Sequence, residues 1–379
     1  MRKIQMVDLQ KQYQEIKVEV DNSIQEVINN CTFINGPTVK QFQANLEKYL
    51  NVKHVIPCGN GTDALQVALM SLDLQPGDEV ITTTFTFIAT AEVIALLKLT
   101  PVLVDVEPDT FNIDINAVER AITLKTKAII PVHLFGQCVN MEALMKLAEK
   151  HNLFVVEDAC QAIGASYRFS NGETKKAGTI GTIGCTSFFP SKNLGCYGDG
   201  GAAFTNDDEL AKKLRGIVNH GMFIRYYHDI IGVNSRLDSI QAAVLDVKLK
   251  HLDAYAERRN KAAAFYNKAF ANQENITTPV VNNQTTHVFH QYTLVLNGID
   301  RAKVIAYMQE KEIPAMIYYP VPLHLQKAYQ DPRYKEGDFP VSEHLSANVI
   351  SLPMHTELDQ EQLDYITSNL LKAIESAKK

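Results

Sequence analysis

The sequence predicts an α/β fold, with a large domain built on a mostly parallel β-sheet and a smaller C-terminal α+β domain. Three observations predict it. The 379 residues exceed what one compact core usually holds. Between residues 54 and 205, apolar runs of strand length alternate with helix-length segments, a pattern typical of right-handed crossovers and a sheet buried on both faces. Over residues 236–270 the pattern becomes helical, which predicts a link to a second domain.

The large domain can be divided into elements in chain order. Predicted strands cover residues 55–57, 79–84, 101–106, 128–132 and 154–156, with two further apolar runs near 186–189 and 202–205. Predicted helices cover residues 62–72, 88–97 and 141–150, and one long helix covers 236–270. We place the domain boundary at residue 250, giving a large domain of residues 1–250 and a small domain of residues 251–379. The N-terminal segment of the large domain is able to pack on the small domain.

Composition and charge exclude several classes of protein. A hydrophobic content of 46% and a charged content of 21% are typical of a globular protein, and a net charge of −6 argues against nucleic-acid binding. No apolar run reaches the ~20 residues that a membrane helix needs, and the N-terminus lacks a signal-peptide core, so a cytoplasmic protein is expected. The six cysteines form no C-x-x-C pair, and no metal-ligand spacing is present. We therefore expect reduced thiols and no metal.

Lys192 is the first candidate catalytic residue. It lies in Ser-Phe-Phe-Pro-Ser-Lys-Asn-Leu-Gly (residues 187–195), and a glycine-rich stretch follows over residues 195–201. Glycines there allow the backbone to approach a bulky group closely. An ordinary surface lysine is the alternative, which the aromatic and proline neighbours disfavour.

Asp158 is the second candidate catalytic residue, because it ends the apolar run of residues 153–157. Parallel sheets bind ligands beyond the carboxyl ends of their strands. A carboxylate there and an amine on a nearby loop are what an aldehyde cofactor with a basic ring nitrogen requires, which predicts pyridoxal 5'-phosphate. At ~4 Å and an effective dielectric of ~20, the carboxylate would favour the protonated ring by about 4 kcal/mol, or roughly three pKa units. A solvated strand-end carboxylate is the alternative.

The turn over residues 59–64, Gly-Asn-Gly-Thr-Asp-Ala, is a candidate phosphate site. It follows a short predicted strand and opens a helix, where backbone N–H groups and the helix dipole favour an anion. One alternative is that Thr62 merely caps the helix. Another is that the string is a G-x-G-x-x-A dinucleotide fingerprint, which predicts a nicotinamide-dependent sugar oxidoreductase but leaves the Lys192 segment unexplained.

Three further side chains are candidates for cofactor contacts. Gln161 lies one turn after Asp158 and is placed to donate to the phenolic oxygen of the ring. Ser187 is placed to donate to the phosphate, and Phe87, at a strand-to-helix junction, to stack on a flat ring. The alternatives are a polar surface residue, a satisfied strand hydroxyl and a core aromatic, respectively.

Several stretches together resemble the DegT/DnrJ/EryC1/StrS family, the fold-type I aminotransferases that act on nucleotide-linked keto-sugars. The matching stretches are residues 33–37, 61–65, 157–162, 187–201, 232–238 and 318–324, which occur in family order over nearly the whole chain. The resemblance implies an aspartate aminotransferase-like fold with a seven-stranded sheet in the large domain. It also implies pyridoxal 5'-phosphate as the cofactor and a homodimer with shared active sites.

The same resemblance implies roles for individual residues. It implies that Lys192 binds the cofactor as a Schiff base, that Asp158 pairs with the ring nitrogen and that Gln161 meets the ring oxygen. The other implied positions are Phe87 on the ring, Gly61, Thr62 and Ser187 at the phosphate, Asn234 at the phosphate of the neighbouring subunit, and Arg236, Tyr319 and His324 near the sugar nucleotide. Some relatives carry histidine in place of the lysine and are dehydratases, so Lys192 favours amino transfer.

The substrate follows from the same resemblance. Residues 187–201 are most similar to enzymes that aminate C3 of a UDP-linked 2-acetamido-2-deoxy-3-oxo-glucuronic acid with L-glutamate as donor, in the biosynthesis of surface polysaccharides such as lipopolysaccharide. A uronate needs a cation, and Arg236 and Arg225 are the candidates, with a solvated basic loop as the alternative for Arg225. The alternative substrate is a dTDP- or GDP-linked 3- or 4-keto-6-deoxysugar. A non-catalytic sugar-nucleotide sensor is the alternative of another class.

Overall fold

The computed structural model describes residues 2–378, so Met1 and Lys379, at the outer ends of the two predicted domains, lie outside the described residues. The helices are α1 (Leu9–Asn29), α2 (Pro37–Leu50), α3 (Gly61–Ser71), α4 (Ala89–Leu96), α5 (Ile115–Ala121), α6 (Met141–His151), α7 (Asp208–Ile217), α8 (Ser239–Leu249), α9 (Leu252–Phe270), α10 (Arg301–Glu310), α11 (Pro340–Asn348) and α12 (Gln360–Ser376). The strands are β1 (His54–Cys58), β2 (Glu79–Thr83), β3 (Thr100–Val104), β4 (Thr126–Ile130), β5 (Phe154–Asp158), β6 (Ser166–Arg168), β7 (Thr174–Lys176), β8 (Ile183–Ser187), β9 (Gly201–Thr205), β10 (Met222–Ile224), β11 (Tyr227–His228), β12 (Ile276–Thr277), β13 (Tyr292–Leu296) and β14 (Val349–Leu352).

A seven-stranded sheet forms the centre of the large domain, in the order β1-β9-β8-β5-β4-β2-β3. Only β9 runs antiparallel to its neighbours, and the other six strands share one direction. Helices cover both faces, which is why central strand residues such as Ile81, Ile129 and Val155 are fully buried. The predicted fold class is confirmed.

The C-terminal part is built on a three-stranded antiparallel sheet, β12-β13-β14. Its core brings together side chains from this sheet and from α9, α10 and α12, and Ile4 joins it from the N-terminus. Arg2 donates to the carbonyl of Glu357 at 2.7 Å and to Asp359 Oδ2 at 3.0 Å. Residues at the start of the chain thus pack on the C-terminal part. We propose that the chain divides into domains at residue 250, in the turn between α8 and α9.

The prediction of one long helix over residues 236–270 was wrong. The structure has two helices, α8 and α9, with a tight turn between them in which Lys250 N–H donates to Val247 and His251 N–H donates to Lys248. Helix α8 is buried on almost all sides between α1 and α2, whereas α9 is buried along one face against the C-terminal core. Leu252 at the start of α9 still packs with Leu249 of α8, whereas Ala262 and Tyr266 belong to the C-terminal core, so the helix breaks near the point where its packing partners change.

The strand predicted near residues 186–189 begins earlier, at Ile183. Gly184 weakens the apolar pattern there, because the strand passes close to another segment of backbone. A Cβ at Gly184 would lie 1.8 Å from the carbonyl oxygen of Gly178. Between residues 2 and 378, no helix has both the length and the apolar surface needed to cross a membrane.

Candidate active site

A cavity of about 780 Å³ opens at the carboxyl ends of the parallel strands. This is the edge where an α/β sheet is expected to bind its ligand. Eight of the twelve predicted site residues line it, namely Gly61, Thr62, Phe87, Asp158, Gln161, Ser187, Lys192 and Tyr319. The fold therefore brings the two candidate catalytic residues and most candidate cofactor contacts to one place.

Asp158, the last residue of β5, is held in a fixed orientation. Its backbone N–H donates to Pro131, and its carbonyl accepts from His133 N–H at 3.0 Å. One side-chain oxygen, Oδ1, accepts from Cys160 N–H at 3.1 Å, and Oδ2 accepts from the buried hydroxyl of Thr90 at 3.0 Å. Each carboxylate oxygen thus has one protein donor and keeps acceptor capacity for a ligand.

Glu157, the residue before Asp158, points to the opposite side of the strand and is fully buried. One carboxylate oxygen, Oε2, accepts from His133 Nε2 at 2.8 Å and from Gly178 N–H at 2.9 Å. The other, Oε1, accepts from the N–H groups of Ile180 and Gly181 at 2.6 and 2.5 Å. The Glu157 carboxylate is therefore fully used in joining β5 to the chain that leads into β8.

Lys192 lies in the turn after β8, where its backbone N–H donates to Phe189 at 2.8 Å. Burial lowers the pKa of its amine, and the nearby Cys160 and Asp158 partly oppose that shift. A lowered pKa increases the fraction of neutral amine, which is the nucleophilic form and the form that accepts a proton.

Helix α8 anchors the loop that follows Lys192. Its buried Lys248 donates from Nζ to the carbonyl of Gly195 at 2.8 Å, and the same ammonium lies 4.7 Å from the centre of the Tyr197 ring. Gln241, also on α8, accepts from Tyr197 N–H at 2.8 Å. Burial lowers the pKa of Lys248 to about 8.

The N-terminus of α3 forms another wall of the cavity. Asn60 caps this helix by accepting from Asp63 N–H at 2.8 Å, so the alternative that Thr62 is the cap was wrong. Among the described residues, the N–H groups of Gly61 and Thr62 have no protein acceptor. A Cβ at Gly61 would lie 2.6 Å from Ser187 Cβ, so only glycine lets the end of β8 come this close. The result is an uncovered pair of donors facing an anion-sized space.

Gln161 and Tyr319 form a hydrogen-bonded pair in the cavity wall. Gln161 Oε1 accepts from Phe135 N–H at 2.8 Å, and its Nε2 donates to Tyr319 Oη at 3.0 Å. Gln161 is buried, so the alternative of a surface residue was wrong. Because Tyr319 accepts from Gln161, its own hydroxyl proton remains free to donate to a ligand.

Phe87 is an aromatic side chain exposed to the cavity rather than buried in the core. It is 55% exposed, and its ring centre lies 6.4 Å from that of Tyr319. The alternative of a core aromatic was therefore wrong. The two rings line the cavity with apolar surface that a flat ligand can contact.

Four predicted site residues lie outside this cavity. His324 is buried and its Nε2 lies 3.0 Å from Glu343 Oε1. Asn234 and Arg225 are exposed, and the Arg225 guanidinium lies 4.9 Å from the Tyr226 ring centre.

Arg236, the fourth, lies in a separate groove of about 550 Å³. Lys40 and Arg215 line the same groove, and the buried Nε of Arg236 has no partner among the described residues. Its Nη2 lies 3.4 Å from His220 Nε2. Cations thus gather outside the cavity, whose only lysine or arginine among the described residues is Lys192.

Sequence reasoning missed two residues at the site. Thr90 contacts Asp158 from α4, and its place in an ordinary helical pattern carries no signal of that contact. His290 lines the cavity with an unpartnered Nδ1, and burial, with repulsion from Lys192 and Arg259, holds its pKa well below the usual range. His290 is therefore a neutral imidazole, which the sequence alone does not distinguish from a core histidine.

The chain is similar to known proteins in family, in sequence and in structure. The family model described as the DegT/DnrJ/EryC1/StrS aminotransferase family matches residues 14–371. The chain is 48% identical to a pleiotropic regulatory protein of Geobacillus stearothermophilus, over 97% of each chain. It is 44% identical to a UDP-2-acetamido-2-deoxy-3-oxo-D-glucuronate aminotransferase of Pseudomonas aeruginosa, over 97% of this chain and 99% of the relative. The crystal structure of S. venezuelae DesV in complex with a ketimine intermediate superposes with a TM-score of 0.94 at 38% identity, covering 99% of each chain.

The buried Lys248 makes a specific pH dependence of stability testable. Its pKa is about 8 in the folded protein and about 10.4 in an unfolded chain, so the unfolded chain binds more protons between these values and stability rises with pH. We expect wild type to gain about 2 kcal/mol in unfolding free energy relative to Lys248→Met between pH 7 and pH 9.5. Denaturant titrations of both proteins measure the difference in unfolding free energy. The contributions of the other titrating groups cancel because the two proteins share them. Parallel curves over this range would contradict the assignment.

Proposed function

Because the chain belongs to the DegT/DnrJ/EryC1/StrS aminotransferase family, we propose that it moves the amino group of L-glutamate to C3 of a UDP-linked 2-acetamido-2-deoxy-3-oxo-glucuronic acid. It is an aminotransferase dependent on pyridoxal 5'-phosphate. The observation that carries the proposal is that Lys192 and Asp158 face one cavity at the carboxyl ends of the sheet. The product would serve surface polysaccharide biosynthesis in the cytoplasm. Membership of this family decides against the nicotinamide alternative for residues 59–64.

The cavity fits this cofactor in three respects. The free N–H groups of Gly61 and Thr62, with the Ser187 hydroxyl beside them, offer donors to a phosphate. Asp158 offers an acceptor to a ring nitrogen, and Lys192 offers a primary amine to an aldehyde. A phosphate, a basic ring and an aldehyde are the three groups that the cofactor presents.

When bound, pyridoxal 5'-phosphate supplies an aldehyde that accepts an amino group and a ring that withdraws electrons. The chain's own residues supply binding, orientation and proton transfer. The Lys192 amine, whose pKa burial lowers, would take a proton from the amino-bearing carbon of the donor and deliver it to the carbon that was the cofactor's aldehyde. Asp158 fixes the protonation of the ring nitrogen, and Phe87 and Tyr319 cover the site with apolar surface. Tyr319, oriented by Gln161, holds a hydroxyl proton available for an oxygen of the substrate.

The substrate assignment is supported by the similarity to the Pseudomonas aeruginosa uronate aminotransferase. A uronate, a diphosphate and the L-glutamate carboxylates all need cations, and over residues 2–378 the only lysine or arginine that lines the cavity is Lys192. Arg236 and Arg225 are the proposed sources, although both lie outside it. A dTDP- or GDP-linked 3- or 4-keto-6-deoxysugar is the alternative substrate for the same chemistry.

A homodimer with shared active sites would bring these cations into the cavity. The hairpin β10–β11 and the chain after it expose large apolar side chains, namely Phe223, Ile224, Tyr226, Tyr227 and Ile231. Exposed apolar surface of this extent marks a protein–protein contact. Arg225 lies in this hairpin, and Asn234 and Arg236 follow closely in the chain. We propose that this surface meets a second copy, placing Asn234 at the cofactor phosphate of the partner subunit and Arg236 near the sugar nucleotide. Tyr319, which lines the cavity of its own chain, and His324 are the other proposed positions near the sugar nucleotide.

Replacing Lys192 with alanine tests the assignment of the reaction. Lys192→Ala should lose the visible absorption of lysine-bound cofactor and lower the rate of amino transfer from L-glutamate at least a thousandfold, because no other described residue brings an amine to the cavity. Absorption spectra and 2-oxoglutarate release measure both effects. The exposed Lys261→Ala is the matched control and should behave as wild type. Unchanged activity in Lys192→Ala would rule out the proposed role, and a wild-type protein that binds sugar nucleotide without reacting with L-glutamate would favour a sensor.

A panel of nucleotide-linked keto-sugars tests the substrate. The pyridoxamine form should regain the aldehyde spectrum fastest with the UDP-linked 3-oxo-glucuronate, and Arg236→Gln should raise the KM for this sugar by about tenfold or more, because a charge-assisted bond to the carboxylate is lost. The 3-oxo sugar without the uronate carboxylate is the control and should be affected less. Faster recovery with a dTDP- or GDP-linked sugar would support the alternative substrate.

Mixing two inactive variants tests the shared site. Asn234→Asp places a carboxylate where a phosphate donor is proposed, and Lys192→Ala removes the amine. If Asn234 serves the partner subunit, each mixed dimer has one intact site, so co-expression should restore about a quarter of wild-type sites. The control pair, Lys192→Ala with Asp158→Ala, should show no recovery because both residues line the same cavity in one chain. Absence of recovery in the first pair would contradict the shared site.

A further inference from the structure

We propose that Thr90 is a positioning residue that fixes the Asp158 carboxylate for recognition of a basic ring nitrogen. The inference rests on the proposed function, since it concerns how the same site holds its cofactor. The proposal assigns a role to Thr90 although this residue does not line the cavity.

The geometry is a fully buried hydroxyl bound to a nearly buried carboxylate. Thr90 Oγ1 lies 3.0 Å from Asp158 Oδ2, and the other oxygen, Oδ1, accepts from Cys160 N–H. An ionised carboxylate only accepts, so the Thr90 hydroxyl must donate its single proton to Asp158. Rotation of the carboxylate would break both bonds, so the direction of its remaining lone pairs is fixed.

The hydroxyl of Thr90 serves Asp158 rather than its own helix. Thr90 is the second residue of α4, so no helical turn precedes it to offer a carbonyl, and among the described residues the only partner of Thr90 Oγ1 is Asp158. Its position in the first turn of α4 is set by the backbone bonds from Ala91 and Glu92 to Ile88. The rotamer of Thr90 is therefore held by packing and by Asp158 alone.

The contact joins parts of the fold that are not neighbours in the sheet. Helix α4 follows β2, whereas Asp158 ends β5, and β4 lies between these two strands. A hydrogen bond to a charged group inside a protein contributes enough to change a binding constant about ten- to hundredfold when it is lost. Loss of this hydrogen bond should weaken the binding of a ligand that contacts Asp158 and should leave the affinity of other ligands unchanged.

A cofactor analogue with carbon in place of the ring nitrogen separates these cases. The full-length apoprotein is titrated with pyridoxal 5'-phosphate and with 1-deazapyridoxal 5'-phosphate, and binding is followed by visible absorption. Wild type should bind the natural cofactor more tightly than the analogue. In Thr90→Val this preference should fall about tenfold or more, with little change in the affinity for the analogue, whereas Thr90→Ser should keep the wild-type preference.

Two variants keep the test decisive. Thr82→Val removes another buried hydroxyl, which donates to the Ile130 carbonyl at 2.9 Å, and should leave the preference unchanged. Thr90→Cys has a similar shape with a weaker donor and should lie between serine and valine, which covers the case in which Thr90→Val does not fold. Equal weakening of both ligands in Thr90→Val, or an unchanged preference, would overturn the role of Thr90. A wild-type protein that binds neither ligand would instead overturn the proposed function.

Discussion

The site depends on the pairing of two adjacent parallel strands, β5 and β8. Asp158 ends β5 and lies opposite Cys185 of β8, two residues before the strand ends and the turn to Lys192 begins. Since parallel strands end at the same edge, an acid on one and an amine after the other face the same space. Much of the surrounding structure serves that arrangement. The absence of a side chain at Gly61 lets α3 close one wall, and Lys248 and Gln241 hold the loop after Lys192 from behind.

The distribution of charged side chains around the cavity explains why the proposed active site looks incomplete in one chain. Among the described residues, the lining of the cavity contains one amine, Lys192, and three carboxylates, Asp63, Asp158 and Asp199, together with the uncovered N–H groups at the start of α3. The two arginines proposed for the site, Arg236 and Arg225, lie outside the cavity, and Arg225 lies in a hairpin that exposes large apolar side chains. The proposed binding of several anionic groups is therefore in keeping with the proposed second copy, and the exposed hairpin offers a surface for it.

The sequence predicted the strands of the large sheet, the helices α3, α4 and α6, and the edge where the cavity lies, because each rests on local signals. Alternating strand and helix patterns located β5, and the proline and glycine residues around Lys192 marked its loop. Features set by distant contacts could not be predicted. The break between α8 and α9 accompanies a change of packing partners that exists only in the folded chain, and Thr90 resembles any helical threonine until Asp158 is placed beside it. Similarly, the predicted start of β8 lay too late in the sequence, because the close packing that requires glycine at position 184 comes from the backbone of Gly178.

The two consecutive acids at the end of β5 have opposite tasks. Glu157 is saturated by four donors, and it secures the strand end from the side away from the cavity. Asp158 is left with open acceptor sites towards the cavity. Glu157 therefore stabilises the strand end and Asp158 serves the proposed chemistry of the cavity, although the two residues are adjacent in the chain. During evolution the reactive position can be altered, and a new chemistry acquired, without removing the bonds on which the scaffold relies.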